Sequence, residues 1–368
     1  MHDSTQPLRV GLTVEQLWQP VPGGSGTYIT ELLAALDRRQ DTQVRGLAAA
    51  HRPRSGRGPR GVTVDHAPLP RRVLYDAWNG LRAPRAEALL RRPVDVVHAT
   101  TWAVPPTTRP LVVTVHDLAF LHDPGHFTAR GARFFVRSLE RVVDEASAVI
   151  VPSRVVAEDC VAHGIEESRL HVVPHGVRVP AVTARQVDDL RRRHGLHRPY
   201  VLWAGTLEPR KNVERLVAAF ELVRGERPGM ELVLVGPSGW GGRTTSDAPG
   251  VRALGRLSWH DLHTAYAGAE AFCFPSIREG FGLPVLEAMA HGVPVVTSAG
   301  TSMAEVVGDP DNGVLVDPAD ASSVAAGILD ALDRRSPLAE RSLRRAADFT
   351  WDRSAAATRA VYGLAQEA

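Results

Sequence analysis

Lysine is almost absent from this chain. Of 43 basic residues among 368, Lys211 is the only lysine and the rest are arginine. A bias that strong is a property of a genome, so one surviving lysine invites a functional reading. Cysteine is scarce too: Cys160 and Cys273 sit in apolar stretches without metal-ligand or disulfide spacing. That excludes a disulfide scaffold and fits a reducing compartment. No apolar run approaches the roughly 18 residues needed to span a bilayer. The opening MHDSTQPLRV is polar and has no signal-peptide apolar core, so a cytoplasmic protein is expected. Excess charge is missing as well. A formal net charge of +2 argues against an obligate nucleic-acid binder, while a pI of 8.7 leaves room for an anionic partner.

What is present is a globular composition, 44% hydrophobic and 23% charged, in a chain long enough for two domains. Short β-rich runs alternate with helical patterns. Strands are expected at LRVGLTV (8–14), DVVHA (95–99), LVVTVHD (111–117), AVIVPS (148–153) and LHVVPHG (170–176). The second half repeats the scheme at YVLWAG (200–205), ELVLVG (231–236), AFCFPS (271–276), VPVVTS (293–298) and GVLV (313–316). Such alternation predicts parallel, doubly wound α/β sheets, two Rossmann-like units that break near 177–200. The Gly/Pro-rich HRPRSGRGPRG (51–61) reads as a loop, and RRVLYDAWNGLR (71–82) as a helix with Leu74, Trp78 and Leu81 on one face. Two readings stay open here: a solvated loop with a core-facing helix, or a basic amphipathic surface for an anionic acceptor or peripheral membrane contact.

In LWAGTLEPRKNVERLVAAF (202–220), a strand ends at Gly205 and Asn212 caps a helix whose Val213, Leu216, Val217 and Phe220 share a face. Arg210 and Lys211 then precede a helix N-terminus, where unpaired N–H groups already favour an anion. Two added cations predict a diphosphate site; two solvated charges are the bland alternative. REGFGLPVLEAMAHGVPVV (278–296) carries Glu279 and Glu287. On one continuous helix they would share no face. Pro284 favours the first helical position, so the helix should run from Pro284 to about His291, with Glu279 in the loop before it and Glu287 one turn inside. Gly280 and Gly282 let that loop fold back so that N–H groups approach a ligand. A carboxylate beside a diphosphate is repelled, so both glutamates are better matched to hydroxyls.

RKN at 210–212 followed by Glu279 and Glu287 resembles the donor half of the retaining, nucleotide-sugar glycosyltransferases of family 4, mannosyltransferase-like members above all. PVPGGSGTYITELL (20–33), VTVHDL (113–118), VPSRVVAEDC (151–160) and FTWDRSAAATRAVYGL (349–364) extend the likeness along nearly the whole chain. The resemblance implies a GT-B architecture, two Rossmann-like doubly wound domains facing a central cleft. It implies an acceptor domain at 1–180, joined by a returning helix at 350–368, and a donor domain at 181–349. Arg210 and Lys211 would hold the donor diphosphate, Glu287 the ribose hydroxyls, and Glu279 the transferred sugar. Gly280, Phe281, Gly282 and Leu283 would line sugar and phosphate, with Gly24 approaching from the other domain and His116 lying against the sugar. Arg256 and Leu257 would sit near the base. The implied reaction is front-face hexosyl transfer from a nucleotide sugar, GDP-mannose favoured over a UDP-sugar, without cofactor or metal. The acceptor is a saccharide, lipid-linked or small hydroxyl compound.

His175-Gly176-Val177-Arg178 departs from the family's Asn-Gly-Val-Asp pattern. Four rivals remain. Asp309-Pro310-Asp311 matches a metal-binding Asp-x-Asp, though GDPDNG reads as a turn. GGSG (23–26) lacks the third glycine of a dinucleotide fingerprint. A nucleotide-sugar epimerase or a catalytically inactive sugar-nucleotide binder would share the same fold.

Overall fold

The computed structural model describes residues 6–51, 59, 61–237 and 248–367. Most of the Gly/Pro-rich stretch 51–61 therefore lies outside the described residues. The chain divides into two compact units, Met1–Gly176 with Trp351–Ala368, and Val177–Thr350.

The first unit is built on a seven-stranded parallel sheet. Its strands are β1 (Leu8–Thr13), β2 (Thr42–Ala48), β3 (Val64–His66), β4 (Val96–Ala99), β5 (Leu111–Thr114), β6 (Ala148–Val151) and β7 (Leu170–Val172), in the order β3-β2-β1-β4-β5-β6-β7. The order reverses between β1 and β4. Central strands such as β4, β5 and β6 are buried along their whole length, as continuous Val/Ile runs require when helices cover both faces. The helix Trp351–Glu367 belongs to this unit, with Trp351, Ala355, Val361 and Tyr362 packed into the core of Val10, Leu12, Ile29 and Val112. Burying each large apolar side chain stabilises by about 1.5–3 kcal/mol.

The second unit repeats the plan with six parallel strands. They are β8 (Tyr200–Ala204), β9 (Glu231–Val235), β10 (Val251–Gly255), β11 (Ala271–Phe274), β12 (Val295–Ser298) and β13 (Val314–Val316), ordered β10-β9-β8-β11-β12-β13. Here the reversal falls between β8 and β11. Trp203, Phe220, Phe272 and Phe274 are fully buried around it.

Several sequence expectations need correction. Three strands, β2, β3 and β10, were not foreseen; β3 and β10 form sheet edges, where alternating exposure dilutes the apolar signal. The stretch 177–200, at whose start the two units divide, contains a helix that was not foreseen, Ala184–His194, capped by reciprocal Thr183–Gln186 bonds and ended by Gly195 at φ 64°. Leu81 does not join Leu74 and Trp78 in the core: the helix ends at Gly80 and Leu81 is 81% exposed.

Candidate active site

Arg210 and Lys211 lie in a short 3-10 turn, Pro209–Lys211, in the loop after β8. Glu279 lies in the loop after β11. These strands are neighbours at the point where the sheet order reverses, the place where open α/β sheets leave a crevice beyond their carboxyl ends. The two loops meet there. Lys211 Nζ donates to Glu279 Oε1, and Arg210 Nη1 lies 3.0 Å from the same oxygen. Arg210 also reaches Glu208 at 3.2 Å and donates to the Arg278 carbonyl at 3.1 Å.

Glu279 therefore pairs directly with both cations. Lys211 is only 8% exposed, and a buried ammonium requires a counter-charge. Burial alone would push the Glu279 carboxyl up. Lys211 and Arg210, with hydrogen bonds from Lys211 and Ser276, overcome that and hold it at about 2. Burial lowers the Lys211 ammonium, against the opposing pull of Glu279. The Lys211 Nζ also sits 5.0 Å from the centre of the Phe274 ring.

Two features of this loop went unread in the sequence. Ser276, two residues after β11, places its hydroxyl 2.7 Å from Glu279 Oε1 and 3.0 Å from the Arg210 carbonyl. Ser302 Oγ donates to the Glu279 carbonyl at 2.6 Å. The only sequence signal was a pair of small hydroxyl residues close behind strands. Asn212 occupies the helix-start position but makes no side-chain cap. It adopts φ 59°, and its amide instead donates to the Pro275 and Pro318 carbonyls at 3.0 and 2.7 Å. Asn212 thus pins the cation loop to the glutamate loop.

The helix after Glu279 runs Leu283–Ala290, one residue earlier than Pro284 implied, with Gly282 at its head. Gly282 takes φ 99°, and a Cβ there would meet Met303 Cγ at 2.6 Å, so only glycine fits. Phe281 turns its ring into the core against Phe349 at 5.9 Å, and Leu283 packs on the same core. Glu287 sits in the second turn and has its own partner: Tyr266 Oη donates to Glu287 Oε2 at 3.1 Å. Burial raises the Glu287 carboxyl to about 7, with the Tyr266 bond pulling the other way. The two glutamates are thus held by separate frameworks. Arg256 is exposed and Leu257 half-buried, just beyond β10.

Gly24 and His116 belong to the first unit. Gly24 is not in a loop but in the first turn of the helix Gly23–Asp37. His116 follows β5, and its Nε2 lies 3.1 Å from the Thr100 carbonyl, which only accepts, so Nε2 carries the proton. Burial lowers the His116 imidazole, favouring the neutral ring. Tyr28 packs edge-on against it at 5.0 Å and tilted against His175 at 4.8 Å. His175 in turn stacks on Trp351 at 5.9 Å. Asp309-Pro310-Asp311 is a turn: Asp309 accepts the Asp311 amide at 2.8 Å, and Asp311 pairs with Arg341. Among the described residues, no cluster of three or more metal-ligating side chains is present.

Two parallel-sheet α/β units with a charged site at a switch point define a protein of GT-B type. Residues 186–348 match the model of the glycosyl transferases group 1, and 22–180 that of glycosyltransferase family 4. The chain is 32% identical over 311 residues to the O-antigen chain mannosyltransferase B of Escherichia coli, covering 79% of this chain and 80% of that one. It is 32% identical to the D-inositol 3-phosphate glycosyltransferase of Xylanimonas cellulosilytica, over 93% and 92% of the two chains. Among solved structures, Anabaena HepE in complex with UDP and glucose superposes with a TM-score of 0.70 at 19% identity, over 96% of this chain and 99% of that one. WaaG, a glycosyltransferase of lipopolysaccharide biosynthesis, gives 0.72 at 18% identity, over 96% and 98%. The chain belongs to the group 1, family 4 glycosyltransferases, and it is a transferase.

Proposed function

We propose that this enzyme moves a hexose from a nucleotide diphosphate sugar, GDP-mannose in preference to a UDP-sugar, to a hydroxyl acceptor with retention of configuration and without a metal. The observation that carries the reading is the Arg210–Lys211–Glu279 cluster at the switch point of the second unit. Lys211 uses one of its three N–H groups on Glu279, which leaves it aimed and charged for the donor diphosphate. Arg210 joins it there. Cations fixed before the reaction stabilise the charge that develops on the leaving diphosphate, without reorganising at that moment. The leaving phosphate oxygen takes the acceptor's proton in a front-face displacement. Glu279 and Glu287 accept hydroxyl protons of the sugar and the ribose, Gly280 to Leu283 line the phosphates, and Arg256 and Leu257 flank the base.

The mannose preference is supported by the likeness to mannosyltransferases, including the MMP alpha-(1->4)-mannosyltransferase of Mycolicibacterium hassiacum at 32% identity. Both cysteines are buried and free, which supports a reducing, cytoplasmic setting. No helix among the described residues is long and apolar enough to cross a membrane. Val73, 51% exposed next to Arg72, and Leu81, 81% exposed at the other end of the same helix, support peripheral contact with an anionic surface.

A panel of nucleotide sugars, scored by the rise in melting temperature and then by product analysis, tests this reading. GDP-mannose should stabilise most, and free GDP should appear only in step with glycosylated acceptor or hydrolysed sugar. A rearranged nucleotide sugar as the sole product would make the protein an epimerase instead.

A further inference from the structure

The first unit carries a second polar cluster at the carboxyl ends of β1, β2 and β3. Glu15 and Trp18 bound the short 3-10 turn that follows β1, His51 follows β2, and His66 closes β3. Glu15 is 4% exposed and accepts the Ala49 amide at 2.8 Å. His51 Nε2 lies 2.8 Å from Glu15 Oε2 and 3.0 Å from Oε1. His66 Nδ1 lies 2.9 Å from the Ala49 carbonyl. Trp18, half-buried, stacks on His51 with ring centroids 4.8 Å apart and planes 9° from parallel, and meets His66 nearly at right angles at 5.5 Å.

A carboxylate and a carbonyl only accept, so the inner nitrogen of each imidazole must carry a proton. The tautomers are thereby set by the frame. The outer nitrogens, His51 Nδ1 and His66 Nε2, have no hydrogen-bond partner among the described residues. In the neutral ring each is a fixed acceptor, and the two flank an indole that is partly open. Two hydroxyl acceptors beside an aromatic surface match a ring with O–H groups at its rim and C–H groups on its face. An anion is a poor match beside the Glu15 carboxylate, which lies 2.8 Å from the His51 ring.

We propose that Trp18, His51 and His66 form a saccharide subsite, which takes a sugar ring of the acceptor. This rests on the transferase reading above for the word acceptor, but not for the binding itself. Glu15 acts as a positioning residue, holding the His51 ring and its tautomer.

Full-length protein labelled with nitrogen-15 at histidine and tryptophan would be titrated with methyl glycosides of mannose, glucose, galactose and rhamnose, and with inositol. At least one glycoside should shift the Trp18 indole and the His51 and His66 ring signals together and saturably. Trp18→Leu or His51→Ala should weaken that binding by about tenfold while GDP-mannose and UDP-glucose still raise the melting temperature as before. Both residues are half-buried, so two independent variants guard against a loss of fold. No response to any glycoside, or a response unchanged in both variants, overturns the subsite. Glycoside binding without stabilisation by any nucleotide sugar upholds the subsite and sinks the nucleotide-sugar donor reading instead.

Discussion

Lys211 and Glu279 are 68 positions apart in sequence and share one hydrogen bond at the switch point of the second unit, with Arg210 3.0 Å from the same carboxylate oxygen. The only lysine of the chain is thus buried, oriented and paired, a state that a solvated surface charge never adopts. An ion pair of this kind contributes little net stability, because desolvation offsets its attraction. Its value lies in aiming the ammonium.

Lys211→Ala should lower kcat by about 10²–10³ while the circular dichroism and melting temperature stay close to those of the parent. The fold survives because Arg210 remains on Glu279 when the lysine is gone. Lys211→Arg should fail to restore turnover, since a planar guanidinium does not fit a side chain that is 10% exposed. Near-normal turnover in the alanine variant would remove Lys211 from the mechanism.

The same pair predicts an acid limb in stability. Glu279 is held at about 2, against an ordinary value of 4.5. A depressed carboxyl contributes stability that is fully present above the unfolded value and is lost as pH falls through the folded one. The window is therefore about pH 4.5 down to about 2. Urea midpoints measured across that window should fall less steeply for Glu279→Gln than for the parent. Parallel curves would mean that the pair is not formed in solution.

Much of this architecture was legible in the sequence, for definite physical reasons. The strands buried on both faces, such as AVIVPS and AFCFPS, read as uninterrupted apolar runs and were found. The edge strands β3 and β10 were not, because one side of each meets solvent or loops. Lys211 was legible through its rarity and its place before a helix N-terminus. Its bond to Glu279 was not, since two loops from different βα units meet only once the strand order is known. Asn212 was legible as a special position at the start of a helix, but not in its role. Capping preference is local, whereas its bonds to Pro275 and Pro318 are tertiary. Tyr266 carried no signal at all, because a buried tyrosine on a helix is ordinarily core.

Metal chelation supplies a third check. Asp309 is occupied by the Asp311 amide at 2.8 Å and Asp311 by Arg341, so this Asp-x-Asp is a turn. Turnover in EDTA should equal that in magnesium, measured on the same donor and acceptor. A loss in EDTA that magnesium restores would require a metal-assisted leaving group.

Tyr266 and Glu287 give the sharpest pH prediction. Burial raises Glu287 to about 7, while the hydrogen bond from Tyr266 favours the ionised form. Only the carboxylate accepts both protons of a ribose diol. Donor affinity should therefore rise as pH increases through about 7 and level off above it. Tyr266→Phe removes the bond, so the inflection in donor KM should move to higher pH, with kcat at saturating donor little changed. Glu287→Gln should abolish the inflection. Stability should run the opposite way: a raised carboxyl costs nothing below its ordinary 4.5 and destabilises progressively up to about 7, so Glu287→Gln should gain stability over the parent across that interval. A KM profile that Tyr266→Phe leaves in place would show that the tyrosine merely packs against Glu287 and does not tune it.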